Sequence, residues 1–204
     1  EARGMKVARS RWIWIAAAVA AGGLCFVPLP DARQGARPNS LAVRLLGPIS
    51  SLAASAQWLR ADLALQHGRV ELFLARARTA LQLAPEDVEG WKYLARHQAM
   101  TLGSPEREPD PQRRLAWIRA GLATAAEGEA LASNPGELAY TAGLIMLKVA
   151  RLDAALPWPG GIAAVWEAAA EHFERAGKLG FDAEASAFLT ESARRTAEFE
   201  RTGH

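Results

Sequence analysis

From residue 48 to the C-terminus, apolar positions recur every three or four residues, which gathers them on one side of a helix. In residues 48–67 they are Ile49, Leu52, Ala53, Ala56, Leu59 and Leu63, with Pro48 suited to the first turn and Gly68 as the stop. Residues 69–83 continue with Val70, Phe73, Leu74, Ala77, Ala80 and Leu81. Pro85 suits the N1 position of a third helix, and Glu86 and Asp87 suit its positive end. The stripe of that helix is Val88, Trp91, Leu94 and Ala95. GSPEREPD (103–110) breaks the pattern, and Asp110 followed by Pro111 is an N-cap and N1 pair. The helix so opened carries Leu115, Ile118, Leu122 and Ala125 and runs to about Ala132. Asn134, Pro135 and Glu137 form a capping-box pattern before Leu138, Ala142, Ile145 and Val149. DAALPWPGG (153–161) is a second irregular stretch. Residues 162–176 then bring Val165, Trp166, Ala169, Phe173 and Ala176, and 182–201 form the last helix. The pattern predicts an all-α fold of seven helices in consecutive antiparallel hairpins over 48–204, with no strand.

The N-terminal part has another character. Residues 12–29 (WIWIAAAVAAGGLCFVPL) carry no charge, and as a helix they reach about 27 Å, close to the apolar thickness of a bilayer. Trp12 and Trp14 suit the headgroup level. Arg3, Lys6, Arg9 and Arg11 precede the stretch and Asp31 follows it, so the positive-inside bias predicts a cytoplasmic head, 1–11. The helical body is then expected on the extracytoplasmic, periplasmic side of a bacterial cell envelope. The small residues Ala18, Gly22 and Cys25 would let this span approach a partner span. A cleaved signal peptide shares the head and the apolar stretch, but 26–32 offer no convincing small-x-small site. A lipoprotein signal needs a small residue before Cys25, where Leu24 stands. A buried soluble helix fits poorly, because every face of the segment is apolar. Met5 is an alternative start of the chain. Residues 30–47 read as a polar linker with a short helical lead-in.

Composition narrows the function classes. The chain has 204 residues and about a fifth are alanine, a mix that favours helix. The pI of about 9.0 suggests a nucleic-acid binder, but the charge is unevenly placed. Of 24 basic and 22 acidic residues, four and one lie in residues 1–11, which leaves 20 and 21 for the remainder. The body thus has no basic excess, and nucleic acid is not expected as a partner. Cys25 is the single cysteine, so no internal disulfide or Cys-based metal site can form. The His residues at 67, 97, 172 and 204 are scattered. There is no GxSxG, HExxH or P-loop. Glu171 beside His172 lacks the second His of a zinc site, and Asp62 and His67 are poorly spaced to face each other. Glu106, Arg107, Glu108 and Asp110 with Arg113 and Arg114 read as a solvated rim. No catalytic residue, metal site or cofactor is expected.

Three segments align: ARTALQLAP (77–85), EGEALASNP (127–135) and FERAGKLGF (173–181), each closing a hairpin with a small residue, Ala80, Ala130 or Ala176. Ala80 and Pro85 lead into Trp91-x2-Leu94-Ala95, and Ala169-x3-Phe173-x2-Ala176 repeats the second-helix spacing. Ala123, Ala130 and Pro135 match three further points. Over about 54–181 the chain resembles the tetratricopeptide repeat (TPR) family. It departs from the family's repeat of about 34 residues through its two long loops, through Phe181 in place of a third proline, and at Trp58 and Phe73. The resemblance implies a solenoid of three hairpins with a C-terminal capping helix. It also implies a concave groove lined by the first helix of each hairpin. Carried over, the groove positions are Trp58, Asp62 and Leu65; Glu89, Lys92 and Arg96; and Ala142, Met146 and Val149. Lys92 and Arg96 would suit a peptide carboxylate, although the asparagines of such a clamp are missing. Trp158, between two prolines, either caps the core or anchors a partner.

These readings converge on a membrane-anchored protein–protein interaction module, an accessory or scaffold subunit of a larger membrane complex. Its partners would be other subunits and, through one span, the bilayer. The alternative is a cell-envelope enzyme or ligand-binding protein with its site in the helical groove.

Overall fold

The computed structural model describes residues 47–153 and 156–203, all within the compact unit Pro38–His204. Seven α-helices occur among them and no strand: α1 (Gly47–Gln66), α2 (Val70–Leu83), α3 (Val88–Arg96), α4 (Pro111–Glu129), α5 (Pro135–Leu152), α6 (Gly161–Lys178) and α7 (Ala183–Thr202). No helix among the described residues is long and apolar enough to cross a membrane. Residues 12–29, with Trp12, Trp14, Ala18, Gly22 and Cys25, lie outside the described residues.

Local chemistry explains most boundaries. Asp110 caps α4 by accepting from the Gln112 N–H at 2.9 Å, with Pro111 in the first turn. Pro85 does not open α3; it lies in a turn, and Asp87 is the cap, accepting from the Gly90 N–H at 3.1 Å. Asn134 does not cap α5 through its side chain; its amide donates to Glu137 at 3.4 Å, and Glu137 also accepts from Lys92. Helix α4 stops at Glu129 rather than Ala132, so Ala130 is exposed beyond its end. The small residue packed at that end is Gly128: a Cβ there would meet the Trp91 ring at 2.7 Å. The alignment of Ala130 with Ala80 and Ala176 is therefore corrected by two positions.

After Arg96 the chain widens into a π-helical stretch, His97–Leu102, closed by the Gly103 N–H on the Gln98 carbonyl at 3.0 Å. Its sequence, HQAMTL, holds neither glycine nor proline, so nothing in it signals the change. The stretch holds Gln98 in the interior, where it accepts from Thr124 at 2.7 Å.

Each helix packs on its chain neighbours, and α3 also packs on α5. One core cluster joins Ala61, Phe73, Ala77 and Leu81 of the first hairpin to Trp91, Leu94 and Leu138. A larger one joins Leu115, Ile118, Ile145, Met146, Trp166 and Phe173. Alanine and glycine let the backbones come close: a Cβ on Gly121 would lie 2.5 Å from the Ala95 carbonyl oxygen. The two irregular stretches are pinned by Arg114. This side chain is buried, contrary to its expected place in a solvated rim. Its guanidinium grips Asp153 at 2.7 and 3.2 Å and donates to the Pro109 carbonyl at 2.9 Å.

Candidate interaction surface

The first helices of successive hairpins meet side by side. The edge of Trp58 (α1) meets Tyr93 (α3), with ring centroids 5.6 Å apart. Tyr93 also directs its hydroxyl towards Asp62, 3.5 Å away. Burial, then the Asp62 charge, raises the Tyr93 pKa. Lys92 of α3 is held by Glu89 at 2.7 Å and by Glu137 of α5. Burial alone would lower its pKa, but the two carboxylates outweigh that and raise it. Lys92 is thus already neutralised and does not offer its charge to a peptide terminus. Arg96 is exposed one turn further along, on the same face as Glu89 and Tyr93.

The second helices are linked in parallel fashion. Arg78 (α2) pairs with Glu127 (α4) and donates to Thr124 at 3.0 Å. Arg175 (α6) reaches Glu129 (α4) at 3.4 Å. Burial raises the Glu129 carboxyl, and Arg175 opposes it. His172, 2.7 Å from Arg175, is lowered to about 4, first by burial and then by the Arg175 charge. Such links recur from hairpin to hairpin: Asp62 with Tyr93 and Lys92 with Glu137 on one side, Arg78 with Glu127 and Arg175 with Glu129 on the other.

Of the carried-over groove residues, Trp58 and Leu65 are half-buried, Asp62, Glu89 and Arg96 are exposed, and Lys92 is half-buried. Met146 is a correction. It is fully buried, as Ala142 and Val149 are nearly so, because α5 packs on α3, α4 and α6 and its apolar stripe fills the core. The exposed residues of α5 are instead Leu144, Lys148, Arg151 and Leu152. Trp158 is half-buried against the larger core cluster, with the Arg119 guanidinium 5.8 Å above its ring.

Three features escaped sequence reasoning. His97 lies 4.7 Å from the Phe73 ring, and its pKa is lowered by burial and by Arg107. Met100, Thr101, Ser104, Glu106 and Arg107 line an open depression where the π-helical stretch ends. The third is a correction. The predicted stripe of α1 is not its buried face: Ile49, Leu52, Leu59 and Leu63 are 54, 72, 64 and 46 % exposed. The buried side is Ala54, Gln57, Ala61 and Ala64. Gln57 is accommodated on that side because its amide oxygen accepts from Arg76 at 3.2 Å.

Among the described residues no group of three or more His, Cys, Asp or Glu could hold a metal ion. No family model, curated protein or solved structure matches the chain.

Proposed function

We propose that this chain is a membrane-anchored protein–protein interaction module, an accessory or assembly subunit of a larger membrane complex. In this reading residues 12–29 are the span and the body is a TPR-like solenoid of three hairpins, α1–α2, α3–α4 and α5–α6, capped by α7. The observation that carries it is the recurrence of side-by-side links between hairpins, first helix to first helix and second to second. A chain built this way presents extended helix faces. Asp62, Tyr93 and Arg96 form the accessible strip that runs across the first two hairpins.

The full chain, solubilised from its native membrane in mild detergent, should co-purify with other membrane subunits in fixed stoichiometry. Tyr93→Ala combined with Arg96→Glu should release those subunits and shift the melting temperature little. A variant that keeps its subunits moves the docking surface elsewhere. A monodisperse wild-type chain that carries no other subunit overturns the reading.

A further inference from the structure

We infer that the depression at the end of the π-helical stretch, with unpaired cations of α3, of the loop after it and of α5 around it, receives an acidic segment of a partner protein. Many cations of the body are already spent. Each one on α6 and α7 is in an ion pair, as are Arg78, Lys92, Arg113 and Arg114. Arg96, Arg107, Lys148 and Arg151 are exposed and, among the described residues, in none. These four lie together. Arg107 lines the depression with Met100, Thr101, Ser104 and Glu106. Arg96 is about one helical turn before Met100. Hydrogen bonds from its own backbone N–H and from Ser104, and then the Lys148 charge, hold the Glu106 carboxyl below its usual range, so Lys148 lies beside the depression. Arg151 follows Lys148 by three residues on the exposed face of α5. Arg60 and Arg69, likewise outside ion pairs, belong to the first hairpin and its turn. Glu71, Glu171 and Glu198, exposed and outside ion pairs, are on α2, α6 and α7.

Shape and charge choose the occupant. The depression holds about 610 Å³, within the range of about 300–1,000 Å³ for ligand sites, but its mouth is open. An open mouth suits an extended segment that passes over it better than an enclosed small molecule. Glu106 is the one carboxylate in its wall, and its hydrogen bonds are met from within the loop. The guanidinium groups of Arg96, Arg107 and Arg151 have no such partner, and clustered arginines recognise carboxylates through paired, charge-assisted hydrogen bonds. Glu106 and, further along the strip, Asp62 select a protein over an anionic bilayer. A peptide can set a neutral or basic side chain against each of them, whereas a plane of headgroups would press negative charge on both. The inference rests on the interaction-module reading above and adds to it the chemistry of the segment that docks.

The experiment uses the full chain in an uncharged detergent and a fluorescent peptide of alternating glutamate and glycine. Anisotropy should show binding that weakens as salt rises from about 50 to about 300 mM. The same peptide with glutamine for glutamate should not bind. Arg107→Gln with Lys148→Gln should weaken binding about ten-fold or more. The melting temperature should hold, since both side chains are exposed and outside ion pairs. Arg60→Gln with Arg69→Gln removes the same charge elsewhere and should leave binding unchanged. A glutamate peptide that does not bind overturns the inference. So does equal binding of the glutamine peptide, or an equal loss in the Arg60 and Arg69 variant. A bimane at Thr101→Cys, with Cys25→Ser, that brominated phosphatidylglycerol quenches in vesicles also overturns it, because the bilayer then covers the face. A chain that carries its subunits in fixed stoichiometry but binds no glutamate peptide ends this inference alone. A chain that binds the peptide through Arg107 and Lys148 but carries no other subunit ends the accessory-subunit reading alone.

Discussion

Arg114 and Asp153 form an ion pair whose side chains are 7 and 11 % exposed, and the guanidinium also satisfies loop carbonyls. Removing one partner leaves a buried charge without its counter-ion. Asp153→Ala should therefore cost about 3–5 kcal/mol in denaturant unfolding. Arg195→Ala, which breaks the exposed pair with Glu191 on α7, should cost no more than about 0.5 kcal/mol. His172 sets a pH dependence. Unfolded, its imidazole takes a proton near pH 6.5; folded, it resists until about pH 4. Between these values the unfolded state holds more protons, so stability falls as pH drops from about 6.5 to about 4. The raised Glu129 carboxyl acts in the opposite sense, because there the folded state holds the extra proton. Unfolding curves at several pH values should show His172→Gln flatter than the wild type over this window. Neither burial is legible in the sequence: Arg114 reads as one charge in a solvated rim and His172 as a histidine without the partner of a zinc site. Burial depends on which helices lie across from them, and the spacing within one helix does not contain that.

At the scale of elements, periodicity found seven helices to within a few residues, and five stripes gave the buried face correctly. Phe73, Ala77 and Leu81 in α2 and Val165, Ala169 and Phe173 in α6 are examples. It failed on α1 because that helix has two apolar sides. A rule that picks the side richest in leucine picked the side without a partner, and alanines with one satisfied glutamine were enough for the core. It did not foresee the π-helical stretch that follows α3, because such a stretch has no compositional mark. Close approach is decided at this scale too. Gly121 touches the Ala95 carbonyl across two helices, so Gly121→Ala gains helix propensity but forces the backbones apart. A net loss of about 1–2 kcal/mol is expected in chemical denaturation.

For the whole molecule, the anchor reading makes a topology prediction. A reporter fused after His204 should be active only on the extracytoplasmic side, and activity in the cytoplasm would overturn the orientation. The basic head, 1–11, is the signal for that orientation, so replacing Arg9 and Arg11 with acidic residues should reduce the fraction of chains in this topology. The docking of other subunits would then take place on that side.

What the amino-acid order determined by itself was local: that residues 48–204 are helical, where most helices begin and end, that 12–29 are apolar throughout, and that the basic excess sits in the head. These follow from spacing, caps and charge counts, which depend on near neighbours only. What the tertiary structure alone decided was which apolar residues have partners. Met146 left the proposed groove for the core, Arg114 left the rim for the interior, and Ile49, Leu52, Leu59 and Leu63 left the expected core for the surface. A hydrophobic side chain favours burial against any apolar surface, and only the arrangement of distant helices determines whether this fold provides one.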